Sequence, residues 1–156
     1  MTGGRSKREL LCILANPPLG SGERTRARLE RAREILGFEA VVIGNLFAIP
    51  SKNVTDISSL GRDAAGWTEA RAALEPAIAV CDGALLAYGL AEPSGVARFH
   101  HRGQVDMVMQ KLGDAGCPTF QVGDGPRHPS RWQRWTAKNY PELTFPTALR
   151  LAIAQI

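Results

Sequence analysis

An α/β fold, with a mainly parallel four-stranded sheet covered on both faces, follows from three observations. Four short apolar runs, each strand-sized, are spread through the chain. Stretches with helical spacing of apolar residues alternate with them, the pattern of βαβ units. Glycine, proline or asparagine closes most of the runs, as expected of strands that end in rigid loops.

The first run, Leu10 to Ala15, is a buried strand. It enters the loop Asn16-Pro17-Pro18-Leu19-Gly20-Ser21-Gly22. Ser21 or Gly22 caps a helix from about Glu23 to Leu36, with Leu29, Ala32 and Leu36 on one face and Gly37 as its stop. Ala40 to Gly44 is the second strand and ends at Asn45-Leu46-Phe47-Ala48. Residues 54–66 are mixed, with Asp63 and Gly66 as turn material. Trp67 to Val80 is helical, kinked or split by Pro76. Gly83 to Tyr88 is the third strand, followed by a loop over 90–97 and a helix from about Val96 to Leu112. Cys117 to Val122 is the fourth strand. Pro146 opens a last helix in which Leu149, Ala152 and Ile153 pack back. Residues 1–9 read as a disordered polar lead-in and 10–156 as one domain.

Composition narrows the function classes. Hydrophobic residues make up 44% and charged residues 22%, which suits a globular protein with a real core. No run reaches membrane-spanning length, and no signal-peptide pattern opens the chain, so a cytoplasmic location is the default. The net charge is +4. Lysine occurs only at Lys7, Lys52, Lys111 and Lys138, so arginine carries most of the basic charge. Arginine suits bidentate contacts to phosphate or carboxylate, although a genome rich in Arg codons explains the excess equally well. Cys12, Cys81 and Cys117 lie in or beside apolar segments, far apart and odd in number. They read as buried free thiols rather than a disulfide framework.

Two loops concentrate the chemistry. The late loop Gly123-Asp124-Gly125-Pro126-Arg127-His128-Pro129-Ser130 follows the fourth strand. Loops at the C-terminal ends of strands are where open α/β sheets bind ligands. The Asn16 loop and the His128 loop are therefore expected to face one another. His128 suits a hydrogen bond to an anionic leaving group or phosphate, or acid–base work; a structural histidine bonding loop carbonyls is the alternative. Asn16 suits positioning a water or a ligand carbonyl, or else shapes its own loop. Asn45 offers a donor and an acceptor for a planar amide or base edge, or else caps the strand. Arg24 and Arg28 lie near a helix start, where anions are favoured. Asp124 beside Arg127 sets the loop's shape as a local ion pair, or acts as a base. Trp132 and Trp135 interleave with Arg131 and Arg134, which suits nucleic-acid contact or core packing. The adjacent His100 and His101, with Asp106, lack the spacing of a helical metal pair, and neither a dinucleotide fingerprint nor a P-loop occurs. No metal or cofactor is expected.

The order Asn16-Pro17, Thr25, Arg28, Asn45-Leu46-Phe47-Ala48, a strand ending in Tyr88-Gly89, and Pro126-Arg127-His128-Pro129 resembles a bacterial family catalogued as domain of unknown function 1643. Its members typically carry NPS, T-x-x-R, NLFA and HPRHP motifs. The correspondence runs from about Leu11 to Arg131, with Pro18 where the family usually has Ser and Asp124-Gly125 where Gly-His is common. The layout is also distantly similar to the uracil-DNA glycosylase superfamily. That resemblance implies a three-layer α/β/α sandwich. It implies a water-positioning role for Asn16 with Pro17 beside it, base reading by Asn45, and leaving-base stabilisation and DNA grip by His128 and Ser130 with Arg127. Phe47 would take the place of the stacking aromatic, and Arg24 and Arg28 would hold a phosphate. The iron–sulfur members need four cysteines, so three here imply no cluster.

Two readings of function follow. One is a glycosylase-like domain that binds a nucleotide or nucleic acid between the Asn16 and His128 loops and hydrolyses an N-glycosidic bond. The other is a non-catalytic nucleotide- or nucleic-acid-binding module on the same fold. A scaffold whose loop motifs are purely structural is the plainest alternative. The oligomeric state is not legible.

Overall fold

Side chains alternate across the first strand, β1 (Glu9–Leu14). Leu10, Cys12 and Leu14 join one core and Leu11 and Ile13 the other. This two-sided burial is what a strand in the middle of a covered sheet requires. The computed structural model describes residues 7–156. Along the chain, β1 is followed by α1 (Glu23–Leu36), β2 (Ala40–Asn45), α2 (Val54–Leu60), α3 (Ala65–Val80), β3 (Gly83–Leu86), α4 (Val96–Asp114), β4 (Thr119–Val122), α5 (Pro129–Asn139), α6 (Phe145–Ala152) and β5 (Ile153–Gln155).

The sheet order is β2-β1-β3-β4-β5. The first four strands are parallel, with Cys12 opposite both Ile43 and Leu85, and β5 runs antiparallel to β4. Leu29 and Ala32 of α1, Trp132 of α5, and Leu149 and Ala152 of α6 cover one face. Ile57 of α2, Trp67, Leu74 and Ile78 of α3, and Ala97, Val108 and Leu112 of α4 cover the other. The result is a mixed α/β structure in three layers.

Local signals explain the element ends. Gly22 and Gly37 flank α1 with φ of 69° and 81°, and the Gly37 N–H returns to the Arg33 carbonyl. Such left-handed stops favour glycine. Pro129 opens α5 at a position where its missing N–H does no harm. Pro76 lies inside α3 without dividing it into two helices.

Several expectations need correction. The sheet has five strands, not four, because the last helix stops at Ala152 and Ile153–Gln155 turns back along β4. Residues 54–60 form a helix capped by the Asn53 side chain, which accepts from the Asp56 N–H at 3.0 Å. Gly66 sits inside α3 and not in a turn, since its bare backbone lets the Phe47 ring approach. Pro129 and Ser130, read as loop, already belong to a helix that runs over residues 129–139, a stretch with no element expected from the sequence. Of the lead-in over 1–9, residues 1–6 lie outside the described residues, and Glu9 already pairs with Ala40 in the sheet. Cys81 and Cys117, distant in sequence, meet at the leading ends of β3 and β4 with 2.9 Å between their sulfurs. No helix among the described residues is long and apolar enough to cross a membrane.

Candidate functional site

The connections out of β1 and β3 leave toward opposite faces of the sheet, β1 into α1 and β3 into α4. Where neighbouring parallel strands diverge in this way, a crevice opens beyond their C-terminal ends. A cleft of about 760 Å³ lies there. Its walls come from the loop after β1, the segment before α2, the loops after β3 and β4, and one face of α5.

His128 occupies the N-cap of α5. Its Nδ1 accepts the Ser130 backbone N–H at 3.1 Å and lies 2.8 Å from the Ser130 hydroxyl. A ring nitrogen that accepts an amide proton carries none of its own, so the neutral ring holds its proton on Nε2. Burial pushes the His128 pKa down from the ordinary histidine value, and the positive charges of Arg131 and Arg28 add to the effect. Near neutral pH the side chain is therefore a neutral donor at Nε2 on the wall of the cleft.

Asn16 lines the same cleft. Its Nδ2 donates to the Ile49 carbonyl at 3.0 Å and to the Ser51 hydroxyl at 2.7 Å. The amide thereby pins the loop after β1 to the loop after β2 and keeps its Oδ1 as an acceptor. The Pro17 carbonyl accepts from the Ser51 N–H at 3.4 Å, so Pro17 shapes this loop pair without lining the cleft.

Electrostatically the cleft is one-sided. Arg131, Arg134 and Lys138 are spaced three and four residues apart on α5, which aligns them on one side over about 10 Å of helix. Lys52 faces the cleft from the segment before α2. Arg127 is held by Asp124 at 2.9–3.0 Å, with its guanidinium 5.8 Å from the Trp135 ring centre. The same hydrogen bond holds the Asp124 carboxyl below the usual carboxylate range. Among the described residues, five cationic side chains thus line the cleft against one carboxylate. Tyr88 and the half-buried Trp135 add aromatic surface, and burial pushes the Tyr88 phenol up.

Besides Pro17, four expected ligand-binding residues lie elsewhere. Phe47 is fully buried and packs against Trp67 at 4.7 Å between ring centres, so it belongs to the core and does not line the cleft. Arg28 donates from Nη1 to the Pro129 carbonyl at 2.8 Å and from Nη2 to Gln133 at 3.2 Å, which makes it a brace between α1 and α5. Arg24 is exposed on α1, outside the cleft. Asn45 ends β2 outside the cleft, with a buried Oδ1 that has no hydrogen-bond partner. The cleft therefore gathers Asn16, Arg127, His128 and Ser130 but not Pro17, Arg24, Arg28, Asn45 or Phe47.

The Trp–Arg stretch divides by helix face. Trp132 is fully buried, donating from Nε1 to the Arg127 carbonyl at 2.9 Å, while Arg131, Arg134 and Trp135 turn to the cleft. Lys138, Tyr88 and Lys52 are cleft residues that sequence reasoning missed. Pro129 as a helix start, with three- and four-residue spacing from Arg131 to Lys138, was the signal for the first of these.

Hydrogen bonds join the loops around the cleft. The Gly89 N–H donates to the Pro126 carbonyl at 2.6 Å, and the Ser94 N–H to the Ser58 hydroxyl at 2.9 Å. With the Asn16–Ser51 and Arg28–Pro129 contacts, these bonds link the elements that surround the opening.

Comparison with known proteins gives one family. The family model described as "Protein of unknown function (DUF1643)" matches residues 2–130, and the chain belongs to that family. No curated protein and no solved structure matches the chain.

Proposed function

For this member of the DUF1643 family, we propose that the cleft binds a nucleotide or a nucleic-acid strand and cleaves an N-glycosidic bond in it. The observation that carries the reading is a neutral His128, fixed as an Nε2–H donor, inside a cleft lined by five cations. Phosphate groups suit Arg131, Arg134, Lys138 and Lys52. Tyr88 and Trp135 supply the ring faces for a base, in place of Phe47. The doubly wound sheet, covered on both sides, supports a uracil-DNA-glycosylase-like fold.

The chemistry needs little from carboxylates. When the bond between the sugar carbon and the base nitrogen breaks, its electron pair leaves on the base. A hydrogen bond from His128 Nε2 stabilises that charge, and one such donor contributes about 3 kcal/mol. Asn16 Oδ1 orients the water that attacks the sugar carbon, and the proton that water loses ends on the departing base. Among the described residues Asp124 is the one carboxylate lining the cleft, and it is tied to Arg127, which argues against a two-carboxylate mechanism. A base inside a duplex must first be flipped out, at a few kcal/mol. A single strand or a free nucleotide avoids that step.

A second reading rests on the same two residues. Asn16 pins a loop and His128 caps a helix, and both tasks serve a non-catalytic binding module equally well. The deciding experiment measures base release from uracil- and damage-containing oligonucleotides and from free nucleosides and nucleotides. Release that falls at least about 100-fold in His128→Ala and in Asn16→Ala, both folded, supports hydrolysis. No release from any substrate by protein that still binds DNA in a salt-dependent way leaves the binding module.

A further inference from the structure

We propose that Cys81 and Cys117 are an oxidisable dithiol that closes into an intramolecular disulfide when the protein meets a peroxide. The two thiols are half-buried, and their sulfurs stand 2.9 Å apart although 36 positions separate them in sequence. Topology brings them together. Cys81 caps α3 just before β3, and Cys117 lies just before β4. The two strands are parallel neighbours, with Ala84 opposite Thr119 and the Ala84 N–H on the Pro118 carbonyl at 2.9 Å.

The surroundings, rather than the separation, select among the possible uses of such a pair. A disulfide at about 2.05 Å requires the sulfurs to close by roughly 0.9 Å. Two thiolates on a tetrahedral zinc at 2.3 Å would stand roughly 3.8 Å apart and need two more ligands. No group of three or more metal-ligating side chains occurs among the described residues. Cys12 is fully buried in the core on the other face of the sheet, so it does not compete.

The chemistry balances with hydrogen peroxide as the oxidant. One thiolate attacks a peroxide oxygen, the O–O bond breaks, and a sulfenic acid forms with loss of hydroxide, which takes a proton to become water. The second sulfur attacks the sulfenic sulfur, the S–S bond forms, and the hydroxyl leaves as a second water. Burial, helped by the hydrogen bond shared with Cys117, pushes the Cys81 thiol up to about 12. Closure is therefore slow near neutral pH and faster in alkaline solution. The bridge ties the β3–α4–β4 unit at the end of the sheet remote from the cleft. It acts as a staple and leaves the cleft unchanged.

The test treats the whole chain with hydrogen peroxide and counts free thiols after denaturation. The expected count falls from three to one, the intact mass drops by about 2 Da, and a mapped peptide links residues 81 and 117. Tm rises by about 8 °C and returns with dithiothreitol. Cys81→Ser and Cys117→Ser each abolish the mass loss and the rise in Tm. Because the wild-type mass and thiol count are read directly, poor folding of either variant does not blur the result. Three thiols surviving excess peroxide, oxygen added to single cysteines, or disulfide-linked dimers would each overturn the proposal.

Discussion

Arg28 of α1 donates to the carbonyl of Pro129, the first residue of α5, at 2.8 Å. The contact spans 101 positions and sets the start of the helix that carries His128 at its cap and three cations along its cleft side. A charged, half-buried hydrogen bond of this kind contributes about 2 kcal/mol. Arg28→Met is expected to lower Tm by about 6 °C. Anion affinity measured on the folded variant should stay within about 3-fold of wild type, the size of a small indirect effect. A tenfold loss of affinity with unchanged Tm would return Arg28 to the role of a phosphate ligand.

The cation row of α5 makes a different prediction. Arg131, Arg134 and Lys138 are exposed and take part in none of the ion pairs found among the described residues. Replacing all three by Gln should leave Tm within about 2 °C. Single-strand binding should weaken, and the dependence of log K on log salt should flatten by about 2. Titration of wild type and the triple variant across a salt series reads both quantities. An unchanged slope would place the phosphates elsewhere.

Phe47 tests the boundary between core and site. It is fully buried against Trp67, and its ring fills the space over Gly66. Phe47→Ala should cost about 3–4 kcal/mol, seen as a midpoint shift in urea unfolding. Ligand affinity per folded molecule should be unchanged. The opposite pattern, a stable protein that no longer binds, would mean that the ring serves the ligand.

Acid should destabilise the protein through His101 and His128. His101 is buried between Trp67 and Tyr88 with an unpartnered Nδ1, and burial lowers its pKa. His128 is lowered for the same leading reason. In the native state both stay neutral where the unfolded chain takes up protons, at a pKa of about 6.5. The unfolded state then binds more protons, so stability is full above that value and falls as pH drops toward the lowered native pKa values. His101→Phe keeps the ring and removes the titration. Its loss of stability between pH 7 and pH 5 should be smaller than that of wild type, as measured by urea unfolding at each pH.

Much of the frame is legible in the sequence. The apolar runs mark four strands, and Gly22 and Gly37 mark the ends of α1 because left-handed turns leave few other choices. The meeting of the Asn16 and His128 loops follows from strand polarity alone, since parallel strands put their C-terminal loops at one end. Other features depend on distant partners. Ile153 continues the apolar spacing of α6, so nothing local separates it from the helix; the free edge of β4 makes it a strand. Phe47 follows Asn45 in a loop-like position, and its burial depends on Gly66 and Trp67 about twenty residues later. The 2.9 Å approach of Cys81 to Cys117 is set by the register of β3 on β4, which no spacing motif records.

The loop ties around the cleft bear on how binding would proceed. Asn16 fastens the first loop to the second, Gly89 the third to the fourth, Ser94 the third to α2, and Arg28 bridges α1 and α5. A cleft bordered by so many internal bonds is preorganised, and its ordering entropy is lost during folding rather than when a ligand arrives. Association should then be a single-step docking whose rate tracks ligand concentration without a plateau. Discrimination among ligands would lie in how fast they leave.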